Sequence, residues 1–264
     1  MKRFTKKMVV MMLATLMMIC MAACSGPTGE QKGYFDAQEK TLSYTNYDIE
    51  FTIAADYKDK DGNQTSSADT THTTRLKSAD EGNVRSSNET IAAGLSSIVT
   101  DSYLIDGYIY SEFLGQNVKT EYKDGNFYEL KNVEIPTDAI GEDFQVTTEG
   151  EQTVYTFSLA EGKMDFLYAT FDGQIEEENQ KITKASVTAV EGSDGELDSM
   201  KIEATVEGFE EEQDEEEIEE GVEPVIGDSG TATFQVDFNY LGGYVKIEQP
   251  DSLSSYQDMG SLFG

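Results

Sequence analysis

Residues 47–57, "YDIEFTIAADY", set the tightest constraint on what this chain can become. Tyr47, Ile49, Phe51, Ile53, Ala55 and Tyr57 occupy every second position, with mostly polar residues between them. Successive side chains of a strand point to opposite faces, so this spacing buries one face and leaves the other wet. The same period returns in Met200, Ile202, Ala204 and Val206, and again in Phe234, Val236, Phe238 and Tyr240. Val154 to Leu159 read as another strand after the turn "TEGEQ", and "TSSADTTHTTRLK" as an exposed one. Between residues 96 and 130, short Tyr, Ile, Phe and Val runs are divided by turn signals, which predicts a meander. Alternation with one wet face belongs to antiparallel sheet.

Fewer segments carry the helical period. Met164, Leu167, Tyr168 and Phe171 fall at i, i+3, i+4 and i+7, a helix with one apolar face. "YFDAQEKTLS" (34–43) reads as a short helix and "PTDAIGEDF" (136–144) as a helical turn. The expected class is therefore α+β, mainly antiparallel β, with two or three short helices and no internal domain boundary.

The first residues predict an address rather than structure. "MKRFTKK" is basic, and the apolar run "MVVMMLATLMMICMA" that follows is too short to span a bilayer. A basic start, a short apolar middle and small residues before a cut describe a secretory signal. Met21-Ala22-Ala23-Cys24 resembles a bacterial lipobox, although Met21 stands where Leu is preferred. The expectation is cleavage between Ala23 and Cys24 and acylation of the Cys24 sulfur, an anchor on the outer face of the cell membrane. Cys20 fits less well, because the branched Ile19 precedes it. Residues 1–23 then form the signal peptide, 24–33 a flexible tether, and 34–264 one folded domain. After processing one cysteine remains, so no internal disulfide supports the fold and a core must do so.

Charge narrows the partners. The chain holds 51 acidic residues against 19 basic, a net charge of −32, and Lys2, Arg3, Lys6 and Lys7 leave with the signal. Such a surface argues against nucleic acid, whose phosphates need cationic contacts, and against basic-patch docking on anionic headgroups. "EEEQDEEEIEE" (210–220), the heart of an acidic insert over 210–221, reads as a solvated loop between two strands. Its alternative is calcium binding through Glu215, Glu216 and Glu217, but spaced ligands and a turn glycine are missing. "DKDGN" (59–63) reads as a hairpin turn, and "DGYIY" and "DGNFY" as two tight turns, each entering an aromatic strand. No nucleophile elbow, phosphate loop, dinucleotide fingerprint or His/Cys cluster is present, which predicts no catalytic residue, metal or cofactor. A hydrolase would need the single histidine, His72, beside a serine or an acid in a cleft.

Taken in order, these features resemble the LolA-like lipoprotein-carrier superfamily and its LppX-like branch. The stretches are the lipobox ahead of a short helix and the strand "YTNYDIEFTIAADYKD", then the hairpin region "SYLIDGYIYSEFLGQNVKTEYKDGNFYEL". The close "NYLGGYVKIEQPDSLSSYQD", a last strand ending in Ile-x-x-Pro, completes the match over residues 34–258. The resemblance implies a curved half-barrel sheet with helices against its concave side, and an apolar hollow for acyl chains or lipidated partners. The hollow would be lined by Phe51, Ile53, Met164, Leu167, Tyr168 and Phe171, with the last four either plugging the barrel or forming a mobile lid. The first expectation is thus a lipid-anchored, monomeric binder of a hydrophobic ligand. The second is a tethered interaction protein whose sheet is packed and holds no cavity. The acidic insert departs from the family's usual pattern.

Overall fold

The computed structural model describes residues 29–65, 71–79, 84–91, 98–113, 116–123, 129–209, 227–250 and 253–258. Helix α1 spans Gly29–Leu42 and is followed by strands β1 (Tyr47–Lys58), β2 (Thr71–Ser78) and β3 (Val84–Ile91). Strands β4 (Ile98–Ile105), β5 (Tyr108–Phe113) and β6 (Gln116–Glu121) come next, then a 3-10 turn at Leu130–Val133. Strands β7 (Gln145–Glu149) and β8 (Gln152–Ser158) precede the short helix α2 (Phe166–Thr170). Strands β9 (Gln180–Glu191), β10 (Leu197–Gly208), β11 (Ser229–Leu241) and β12 (Gln257–Asp258) complete the order.

The described strands form one curved, unclosed sheet in the order β12-β6-β5-β4-β3-β2-β1-β11-β10-β9-β8-β7. It is antiparallel throughout except where β12 lies parallel to β6. One meander steps outward from β1 to β6, a second from β11 back to β7, and they join where Phe51 faces Val236 and Ile53 faces Phe234. This order forces a crossing, because β6 lies near one edge and β7 is the other edge. A chain crossing an apolar face must bring apolar groups with it. Leu130, Val133, Ile135 and Ala139 of the crossover are all buried in the same core as β1 and β8–β11.

Helix α1 covers the same face. Tyr34 meets Phe157 edge-on at 5.1 Å and Tyr155 at 5.7 Å between ring centroids. Buried Gln38 is satisfied by the crossover: its Nε2 donates to the Ile135 carbonyl (3.1 Å), and its Oε1 accepts from the Ile135 N–H (2.9 Å). Tyr34 also donates to Gln38 Oε1 at 2.8 Å, so one amide ties helix, crossover and core together. Thr41 Oγ1 accepts from the Leu197 N–H at 2.8 Å at the other end of the helix.

Several expectations need correction. Helix α1 begins at Gly29, inside the segment read as tether, and Gly33 serves a close approach: a Cβ there would lie 3.0 Å from the Tyr155 hydroxyl. Residues 136–144 form a turn and a bridge between Ile140 and Leu159, with the Ala139 N–H on the Pro136 carbonyl at 3.0 Å. β11 stops at Leu241, before Gly242 and Gly243 at φ 68° and 72°, and residues 242–250 hold no regular element up to Ile-x-x-Pro. Strands β3, β7 and β9 carried too little alternation to be legible beforehand. In β9 the buried set runs Gln180, Ile182, then Ala185, Val187, Ala189, because the register with β10 shifts between Thr205 and Val206. That bulge breaks period two, and the buried alanines hide what remains. The Asp106-Gly107 turn does join β4 to β5, with both residues left-handed at φ 50° and 80°. The lipobox, "DGNFY" and the acidic insert lie outside the described residues.

Candidate functional site

Five of the six residues singled out for a hollow sit together on the inner face. Phe51 stacks on Phe234 at 5.8 Å, and Phe171 meets Phe234 edge-on at 6.3 Å. Leu167 and Phe171 are 0% exposed, Phe51 1%, Ile53 2% and Met164 5%, and all belong to one core with α1 and the crossover. The apolar face around Phe234 is therefore filled by the chain's own side chains. Tyr168 stands apart, half-buried at the rim of this core.

Local chemistry explains how α2 is seated. Its apolar side faces the sheet, and Thr170 Oγ1 donates to the Asn132 carbonyl of the crossover at 2.8 Å. The helix stops because Asp172 and Gly173 both adopt left-handed backbone, at φ 47° and 75°. Beyond it, Tyr57 of β1 donates to the Gln174 carbonyl at 3.1 Å. Burial first, then Asp228 and Glu176, push the Tyr57 hydroxyl well above its usual range, so it stays a donor.

His72 lies on β2 opposite Ile53 and belongs to this rim. It shares a hydrogen bond with the Gln174 side chain and feels the charge of Asp172. Removal from water lowers its pKa, while Asp172 and Gln174 act the other way. An acid is thus near His72, yet His72 lines neither of the two grooves described next. Sequence alone carried no signal for the Gln174 and Tyr57 contacts, which join residues 117 positions apart.

Beside α2 a small groove of about 210 Å³ opens between Gly162, Met164 and Tyr168 on one side and Lys181, Ile182 and Thr183 on the other. It shares Glu161 and Thr183 with a wider groove of about 680 Å³ on the outer face. There Lys184, Ser186, Glu203, Thr205, Thr231 and Thr233 present hydroxyls and charges of both signs. Among the described residues no cluster of three His, Cys, Asp or Glu is placed to hold a metal, and no helix is long and apolar enough to cross a membrane.

No protein-family model and no curated protein sequence matches the chain. It is similar to the crystal structure of LprF from Mycobacterium bovis, at 10% identity and TM-score 0.43, over 86% of this chain and 99% of that one. It is also similar to the Mycobacterium tuberculosis lipoprotein LppX, at 8% identity and TM-score 0.42, over 82% of this chain and 97% of that one. The likeness is one of overall fold. At that distance it carries no argument about what this chain binds.

Proposed function

We propose that the chain is an extracytoplasmic lipoprotein, anchored through acylated Cys24, that takes a long acyl chain or lipidated molecule against its inner face by displacing α2. The observation that carries this reading is the cover over Phe234: a five-residue helix, not the 14-residue α1, closes that region of the apolar face. Energetics then select the ligand. Exposing three buried side chains such as Met164, Leu167 and Phe171 costs roughly 5–9 kcal/mol, at about 1.5–3 kcal/mol each. A ligand regains about 0.8 kcal/mol per buried methylene, so it needs on the order of a dozen carbons to compete. Short chains are excluded by that balance.

Native mass spectrometry tests it. The protein, purified with its co-extracting lipids removed, is incubated with palmitate and, separately, with hexanoate. A one-to-one palmitate adduct with no hexanoate adduct is the expected result; no adduct with either sinks the acyl reading. The second reading, a tethered interaction protein with a packed core, is favoured by the complete burial of Leu167 and Phe171, and a clean apo mass would leave it standing. The anchor is tested separately: Cys24→Ala should move the protein from the membrane to the soluble fraction, and retention at the membrane would refute the lipobox.

A further inference from the structure

Strand β9 is longer than its neighbour on one side. β10 accompanies it along its whole length, from Leu197 opposite Glu191 to Gly208 opposite Gln180. β8 stops earlier, with Ser158 opposite Ser186, and its last link is the Leu159 N–H on the Ala185 carbonyl at 2.8 Å. From Gln180 to Lys184, β9 has no strand on that side among the described residues.

A single side chain stands in for the missing strand. The Tyr168 hydroxyl donates to the Gln180 carbonyl at 3.0 Å and accepts from the Ile182 N–H at 3.4 Å. Those are the groups, two residues apart, that an adjoining strand would engage. Unpaired strand edges are templates for another extended chain, and peptide recognition often works by adding a strand to one. The groove of about 210 Å³ lies along this edge and continues into the wider one past Thr183.

We infer that the edge of β9 from Gln180 to Lys184 is a docking site for an extended peptide, with Tyr168 as the cap that the peptide displaces. Five residues of strand span about 16 Å, so the segment recognised is short. Its central side chain is apolar, since Met164, Tyr168 and Ile182 form the small groove. Its flanking residues are uncharged: Lys181 and Lys184 stand on the β9 edge, while Glu161 and Asp165 stand across from them, and neither sign is favoured. Hydroxyl-bearing residues suit Thr183, Ser186 and Thr205 along the wider groove. The proposal does not rest on the acyl-chain reading, because it uses backbone groups of the strand edge, although both ligands would move Tyr168 of α2.

The test is amide hydrogen exchange with a blocked pentapeptide, acetyl-Thr-Thr-Val-Thr-Thr-amide, and the same peptide N-methylated at alternate residues. The unmodified peptide should slow exchange at Ile182, and Tyr168→Phe, which keeps the ring, should bind it at least about fivefold more tightly because both competing hydrogen bonds are gone. The N-methylated peptide, with the same side chains and fewer donors, should bind at least tenfold more weakly. Unchanged exchange at Ile182 in both proteins at millimolar peptide overturns the proposal. So does equal binding of the two peptides, or a Tyr168→Phe variant that gains nothing.

Discussion

Phe171→Ala gives the most direct reading of how the inner face is closed. Phe171 is fully buried, and its ring edge rests on Phe234, which is fixed between the β1 and β10 ladders. Truncating a buried Phe typically costs about 3–5 kcal/mol, the spread reflecting how far the site can collapse. Here one wall, the sheet, is rigid, while the other belongs to a five-residue helix that can settle inward. The expected loss is therefore near the lower end, about 3 kcal/mol. In a chain of this size each kcal/mol moves Tm by about 2–4 °C, so Tm should fall by about 6–12 °C. Urea unfolding followed by circular dichroism, with an unchanged m-value, measures the free energy, and calorimetry measures Tm. A loss below about 1 kcal/mol would refute the argument, since it would mean that α2 rests on the surface rather than filling the face. Under the acyl-chain reading the same variant carries a second, opposite sign. Less apolar area must be displaced, by about 1.5–3 kcal/mol, so palmitate should bind at least tenfold more tightly even as stability falls.

Other substitutions probe other links. Gln38→Met keeps the volume near the original but strips hydrogen bonds from both backbone groups of Ile135 and from Tyr34, and should cost about 2–4 kcal/mol by urea titration. A near-neutral result would show that water reaches these groups. Asp48 of β1 receives two hydrogen bonds from Arg75, at 2.8 and 2.9 Å, and lies 3.1 Å from Lys77. Partial burial raises the Asp48 pKa, but the bonds and charges of Arg75 and Lys77 outweigh it and hold the carboxyl below its ordinary value. A depressed folded pKa stabilises above the unfolded value and is lost as pH falls. Asp48→Asn should thus cost about 1 kcal/mol at pH 7, after allowance for the half-exposed Arg75, and the difference should begin to shrink only below about pH 4, closing as pH falls through the lowered folded pKa. A pH-independent difference would remove the ion-pair explanation. At the neck of the acidic insert, a Cβ on Gly208 would lie 1.7 Å from the Gly227 carbonyl oxygen, so Gly208→Ala must force the facing backbones away from each other. It should lower stability by about 2–3 kcal/mol or more, and a thermal melt matching the parent would show that the neck is not closed this way.

The cost of moving α2 and the capping of β9 meet in one short segment. Met164, Leu167 and Phe171 face the core, whereas Tyr168, on the same helical turn, reaches the strand edge. Displacing α2 for an acyl chain would also uncap Gln180 and Ile182. The two proposed ligands would then compete or cooperate through one hydroxyl, which exchange at Ile182 in the presence of palmitate would reveal.

What the sequence determined on its own is the local grammar. Period two in Tyr47–Tyr57, in Met200–Val206 and in Phe234–Tyr240 is a property of consecutive residues, and each became a strand with the expected face buried, apart from Tyr240, which is exposed at the end of β11. The Asp106-Gly107 turn was legible for the same reason, as was the apolar side of the segment around Leu167. Tertiary structure decided the rest, because it depends on partners far away in the chain. The joining of β1 to β11 sets the order of the whole sheet and sends the crossover over its apolar face. The bulge in β9 is defined only against β10, and the end of β8 only against β9, yet together they make the open edge that Tyr168 covers. The resemblance placed Phe51 and Ile53 in the lining of a hollow. In the structure α1, α2 and the crossover bring apolar side chains onto the same face and bury both residues, which no local pattern could show.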